Sequence, residues 1–157
     1  MAMTLDGPLA HRDRWGATEC SIDKTVGVVG TRSALLLLRE AFYGTTRFDD
    51  FAQRVGISDA VAAARLKDLT AAGILEKRPY REPGQRARAE YVLTPRGRDL
   101  LPALLALWQW GDAHLQDGAP PLEIVDATNA PVRVAIRNER GEELAVEDLH
   151  VRLPGSH

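Results

Sequence analysis

Apolar residues recur at helical spacing along the first two thirds of the chain, and glycine breaks the pattern between segments. Ile22, Val26 and Val29 stand at i, i+4 and i+7, which predicts a first helix over about Ser21–Val29 with Gly30 as its C-cap. A second helix runs from about Arg32 to Tyr43 and stops at Gly44. It is apolar nearly all round (Ala34, Leu35, Leu36, Leu37, Leu38, Ala41, Phe42), the pattern of a helix at the centre of a domain. Thr45-Thr46-Arg47 reads as a short extended segment. Asp49 and Asp50 then fall in the first turn of a third helix, Phe48–Val55, where the helix dipole favours them. Gly56 breaks that helix, Ser58 is a good N-cap for a fourth, and Gly73 ends it.

From Ile74 the pattern becomes that of a strand. Pro83-Gly84 supplies a tight reversal, and a return strand ends at Glu90-Tyr91-Val92-Leu93. Thr94 followed by Pro95 is an N-cap with proline at the first helical position. The helical stretch after it reaches His114 or Leu115. Pro102 lies inside it, so a kink or two separate helices are expected. Helix, turn, helix and two-stranded hairpin make a winged helix-turn-helix, mainly α with a small β wing.

Gly118-Ala-Pro-Pro121 then interrupts the chain. Leu122–Val125, Val132–Ile136 and Leu149–Leu153 read as short strands, with turn signals at Thr128-Asn129 and Arg140-Gly141. The expected organisation is a loose arm over 1–17, a winged-helix domain over 18–117 and a small β appendage over 118–157.

Charge sharpens this picture. The net charge of −2 does not suggest nucleic acid. From Cys20 to Leu100, however, 14 basic residues face 10 acidic ones, and after Leu100 four face nine. A basic middle and an acidic end point to two regions with different partners. A single cysteine excludes an intrachain disulfide. No apolar run approaches the roughly 20 residues of a membrane span, and the start of the chain lacks a signal-peptide pattern, so a cytoplasmic protein without a membrane partner is expected. The four histidines have no metal-ligand spacing, and no nucleophile elbow or phosphate loop occurs. Neither metal, cofactor nor catalysis is expected.

On a helical wheel the fourth helix turns Val61, Leu66 and Leu69 to one side, with Ala62, Ala72 and Arg65 near them. Ala60, Ala63, Ala64, Lys67 and Ala71 take the other side. Alanine lets a helix sit close in a major groove and touches a thymine methyl, but it forms no base hydrogen bond. Arg65 reads as structural, its stem on apolar surface and its head paired locally. The hairpin is more strongly charged: between Lys77 and Arg88, the cations Lys77, Arg78, Arg81, Arg86 and Arg88 face only Glu82. Such arginines contact phosphates or enter a narrow minor groove. Leu100, Leu101, Leu104, Leu105, Leu107 and Trp108 exceed what one helix buries against a small core, which predicts a seam between two copies.

Several stretches in order and spacing resemble the HxlR-type winged helix-turn-helix regulators, whose fold is like that of the MarR group. They are Cys20-Ser-Ile, Leu36-Leu-Leu-Leu-Arg39-Glu40, Arg47-Phe48-Asp-Asp-Phe51, Gly56-Ile57-Ser58 and Arg65-Leu66-Lys67-Asp68-Leu69. Ala72-Gly73-Ile74-Leu75, Glu90-Tyr91-Val-Leu93-Thr94-Pro-Arg-Gly97-Arg98 and Trp108-Gln-Trp110-Gly111 continue the series. The chain departs from the family's usual pattern with Thr31-Arg32-Ser33 at the start of the second helix, and with Ala60, Ala63 and Ala64 where polar residues are usual.

The resemblance implies a bacterial homodimeric transcription regulator, here expected to be a nucleoid-associated repressor on a pseudo-palindromic operator in double-stranded DNA. Expected DNA contacts are Arg32, Arg47, Ser58, Asp59, Ala60, Ala63, Ala64, Lys67, Arg78, Arg81, Arg86 and Arg88. Expected dimer contacts are Ile22, Val26, Leu101, Leu104, Leu105 and Trp108. Some family members sense electrophiles or oxidants through a cysteine matching Cys20, so a small-molecule or electrophile effector is a further expected partner. A helix entrance favours a thiolate, while Glu19 and Asp23 oppose it. A winged-helix protein-interaction module without specific DNA binding stays open as the alternative.

Overall fold

Three hydroxyl side chains start three of the helices. In the computed structural model, which describes residues 2–14, 16 and 19–155, Ala34 N donates to Thr31 Oγ1 at 3.2 Å at the start of α2 (Arg32–Phe42). Val61 N donates to Ser58 Oγ at 3.3 Å at the start of α4 (Asp59–Ala71). Gly97 N donates to Thr94 Oγ1 at 3.0 Å in the short α5 (Pro95–Arg98). Each bond satisfies a backbone donor that the helix cannot. The other α-helices among the described residues are α1 (Ser21–Val29), α3 (Phe48–Val55) and α6 (Leu101–His114). Pro102 falls in the first turn of α6, where its missing N–H costs nothing, so the stretch is two helices rather than one kinked helix.

The chain divides into two compact units. In the first, Ser21–Pro120, α2 supplies Leu37 and Leu38 to the core, α3 supplies Phe51 and Val55, and α4 supplies Leu66 and Leu69. Gly56 takes the left-handed conformation (φ 70°) that turns α3 toward α4. The wing is β2 (Leu75–Tyr80) antiparallel to β3 (Arg88–Leu93), in register from Leu75 opposite Leu93 to Tyr80 opposite Arg88. The extended residues before α3 join it: Arg47 bridges Glu90, and Tyr91 N donates to Thr46 O at 2.7 Å. Where the wing returns to the helices, Thr94 Oγ1 donates to Gly73 O at 2.6 Å, and a Cβ on the buried Gly97 would stand 2.2 Å from Ile74 O. Only glycine lets α5 lie that close to the start of β2.

The second unit comprises residues up to Cys20 and those from Pro121 onward. β1 (Thr4–Leu5) pairs in parallel with β4 (His150–Val151), and His150 Nδ1 lies 3.1 Å from both carboxylate oxygens of Asp6. The N-terminal segment therefore has regular structure that its own sequence does not announce. Two of the three expected strands are not strands. Leu122–Val125 carries a single bridge, Val125 to Pro131, the Arg137 to Glu143 bridge falls just after Val132–Ile136, and Leu149–Leu153 is reduced to the two residues of β4. Polar side chains take the place of ladder bonds. Asp126 Oδ1 accepts from Thr128 N at 2.7 Å and Ala130 N at 3.1 Å, and Asn138 Oδ1 accepts from Arg140 N and Glu142 N, both at 3.0 Å. Such local bonds compete with sheet pairing.

Among the described residues, no helix is long and apolar enough to cross a membrane.

Candidate nucleic-acid interface

The capped start and buried stripe of α4 decide which residues it presents. Ala62, Leu66 and Leu69, at i, i+4 and i+7, are fully buried. Ala60, Ala63, Ala64, Lys67 and Ala71 are exposed, as is Ser58 at the cap and Asp59 after it. Val61 corrects the wheel. It lies about 100° around the helix from Ala62, outside the buried stripe, and is 41% exposed. The outward face thus carries a β-branched apolar group that the sequence reading placed inside. Arg65 is half-buried and pairs with Asp68 at 3.1 Å.

The wing is less uniformly cationic than its composition implies. Arg78 pairs with Glu76 at 2.9 Å. Arg47, at the N-cap position of α3, lies with its guanidinium carbon 4.6 Å from the centroid of the Tyr80 ring. Its Nη2 donates to Glu82 Oε1 at 2.5 Å and to the Tyr80 hydroxyl, which itself donates to the same Glu82 oxygen. The Tyr80 hydroxyl, then Arg47, holds the Glu82 carboxyl below its ordinary range. Arg81 donates to the Gln85 carbonyl within the wing tip, and Arg86 has no ion pair or side-chain hydrogen bond among the described residues. Arg47, Lys77 and Arg88 come together with Tyr80 and Tyr91 around a cleft of about 450 Å³ that Asp49 and Asp50 also line. Arg32 is exposed in the first turn of α2.

On another side of this unit, α1, α2 and α6 enclose an apolar groove of about 650 Å³. Val26, Leu35, Leu38, Leu104, Leu107 and Trp110 are among its lining residues. Ile22 is 75% exposed, Leu107 55% and Trp110 57%. Leu101, Leu104 and Leu105 are half-buried. Trp108 is half-buried too, packed edge-on against Tyr43 at 6.2 Å between centroids. Leu107 and Trp110, rather than Trp108, are the exposed large apolar groups of α6. Cys20 is half-buried immediately before α1. Among the described residues, no group of three or more His, Cys, Asp or Glu is placed to hold a metal ion.

A capped helix-turn-helix, a hairpin wing and flanking apolar helices define the winged helix-turn-helix class. The family model for HxlR-like helix-turn-helix matches residues 28–119, more than half of the chain, and the chain belongs to that family. An uncharacterized HTH-type transcriptional regulator of Mycobacterium tuberculosis (strain H37Rv) is 39% identical over 105 residues, covering 66% of this chain. The matched region spans 65% of that relative's length. Among solved structures, PA1607, described as a transcription-factor candidate, superposes with a TM-score of 0.77 at 31% identity. That match covers 86% of this chain and 95% of the other, more than Ser21–Pro120 can supply, so the likeness extends into the second unit. The redox regulator HypR in its reduced form gives a TM-score of 0.56 at 26% identity, covering 62% of this chain and 95% of its own.

Proposed function

We propose that this chain is a homodimeric transcription regulator, acting as a repressor at a pseudo-palindromic operator in double-stranded DNA. α4 enters the major groove and the wing lies on the backbone or in the minor groove. The observation that carries this reading is the pairing of a capped helix whose outward face is small, Ala60, Ala63, Ala64 and Lys67, with a wing whose tip presents Arg81 and Arg86. Small side chains let the helix approach base edges, and the arginines supply the sequence-independent attraction to phosphate. Val61 adds an apolar contact for a thymine methyl. The groove between α1, α2 and α6 supports a second copy as its occupant, since exposed Val26, Leu107 and Trp110 line it and Ile22, one turn before Val26 on α1, is exposed too.

The shortage of hydrogen-bonding groups on α4 favours one other reading, a winged-helix interaction module without specific DNA binding. A gel shift on the DNA upstream of the chain's own gene, titrated with salt and with random duplex as competitor, separates the two. Specific retention that weakens steeply with salt supports the regulator. Equal, weak retention of both duplexes supports the module.

A further inference from the structure

We propose that Tyr80 and Glu82 are positioning residues: with Arg47 they form a latch that fixes the wing tip against the start of α3. This deepens the regulator reading and rests on it. The base of the wing is held by backbone, through the Arg47–Glu90 bridge and the Tyr91–Thr46 hydrogen bond. The tip, residues 81–87, lies beyond the last paired residues, Tyr80 and Arg88, and has no ladder of its own. Its turn is closed by Gln85 N donating to Glu82 O at 3.0 Å. The side chain of that same residue, Glu82, reaches back to Arg47 at 2.5 Å. One residue therefore closes the turn that carries Arg86 and also anchors that turn to the helical body.

Tyr80 completes the anchor. Its ring supports the Arg47 guanidinium, and its hydroxyl donates to the same Glu82 oxygen that Arg47 contacts. A guanidinium held over a ring and hydrogen-bonded to a carboxylate has little freedom left. Arg47 is thus committed to protein, and its contribution to DNA binding is to set where Arg86 stands. Surface ion pairs contribute little to global stability, so the latch acts on local order of the tip.

The decisive feature is the sign. Glu82→Gln removes a negative charge beside DNA, and charge alone would tighten binding. The latch predicts weakening, by about two- to fivefold on the scale of an exposed charge pair. Tyr80→Phe, which changes no charge, also weakens binding. Arg47→Lys keeps the charge but not the guanidinium over the ring and does not restore wild-type affinity. Binding is read by fluorescence anisotropy at fixed salt, and amide exchange of residues 81–87 is read without DNA. Exchange in the tip speeds up in all three variants while thermal unfolding stays at the wild-type midpoint. Glu82→Gln adds nothing in an Arg47→Ala background. Binding by Glu82→Gln as tight as or tighter than wild type overturns the proposal, as does unchanged exchange in the tip. A wild type that retains no duplex sinks the regulator reading instead, and the exchange experiment still decides the latch.

Discussion

Gly97 shows how tightly one position can be set by its neighbours. A methyl there would meet the Ile74 carbonyl oxygen at 2.2 Å, and that carbonyl is backbone already bonded to Thr94 N at 3.1 Å. Leu93 Cδ2, at 3.0 Å, belongs to a side chain that could give way, but the Ile74 carbonyl oxygen and carbon are backbone and cannot. Gly97→Ala is expected to destabilise the fold by about 1–3 kcal/mol, the range of overpacked cores, seen as a lower urea midpoint with unchanged slope. Cys20 makes a different kind of test. It is the only thiol of the chain and stands half-buried before α1. If it senses electrophiles, a thiol-reactive reagent releases DNA from the wild type and leaves Cys20→Ser bound. Equal release of both proteins, or of neither, makes the residue structural.

The helices and the wing were legible in the sequence because their signals are local. Ser58 and Thr94 cap what they were expected to cap, Thr31 adds a cap that was not expected, and Gly56 and Gly73 end helices where the period breaks. The missed features depend on distant residues or on fine angles. Val61 sits at the edge of a stripe, where a wheel cannot separate inside from outside. The partners of Arg47 lie 33 and 35 positions away, so no local window shows the pairing of this expected DNA contact. On the proposed regulator reading, the phosphate contacts fall to the arginines left at the wing tip and its border. Replacing Arg86 and Arg88 by alanine should flatten the slope of log affinity against log salt by up to about 3.6, at about 0.9 per phosphate for two residues in two subunits. Specific and random duplexes should weaken alike. An unchanged slope would mean that the wing does not touch the backbone.

The two units differ in what made them readable, and that difference bears on assembly. β1 and β4 come from opposite ends of the chain, with His150 and Asp6 separated by 144 positions, so no local window contains the pairing. The helical unit was visible, yet it leaves an apolar face that one copy does not cover. Ile22 and Val26 on α1, with Leu107 and Trp110 on α6, flank or line a groove bounded by Leu35 and Leu38 of the central helix. A two-fold seam would bury each of these groups twice and hold two copies of α4 at a fixed spacing, as a palindromic site requires. Charge placed in that seam should therefore separate assembly from folding. Leu107→Glu and Trp110→Glu alter side chains already exposed in the single copy, so each variant should fold. Each should also place two carboxylates in a dry interface, where unpaired charge is strongly disfavoured. Sedimentation at micromolar concentration should show a dimer for the wild type and a monomer for both variants. Operator affinity should fall with the dimer, because the second half-site is no longer held by the same assembly. A wild type that sediments as a monomer would overturn the dimer, and variants that stay dimeric would place the subunit contact elsewhere and leave this groove for another occupant.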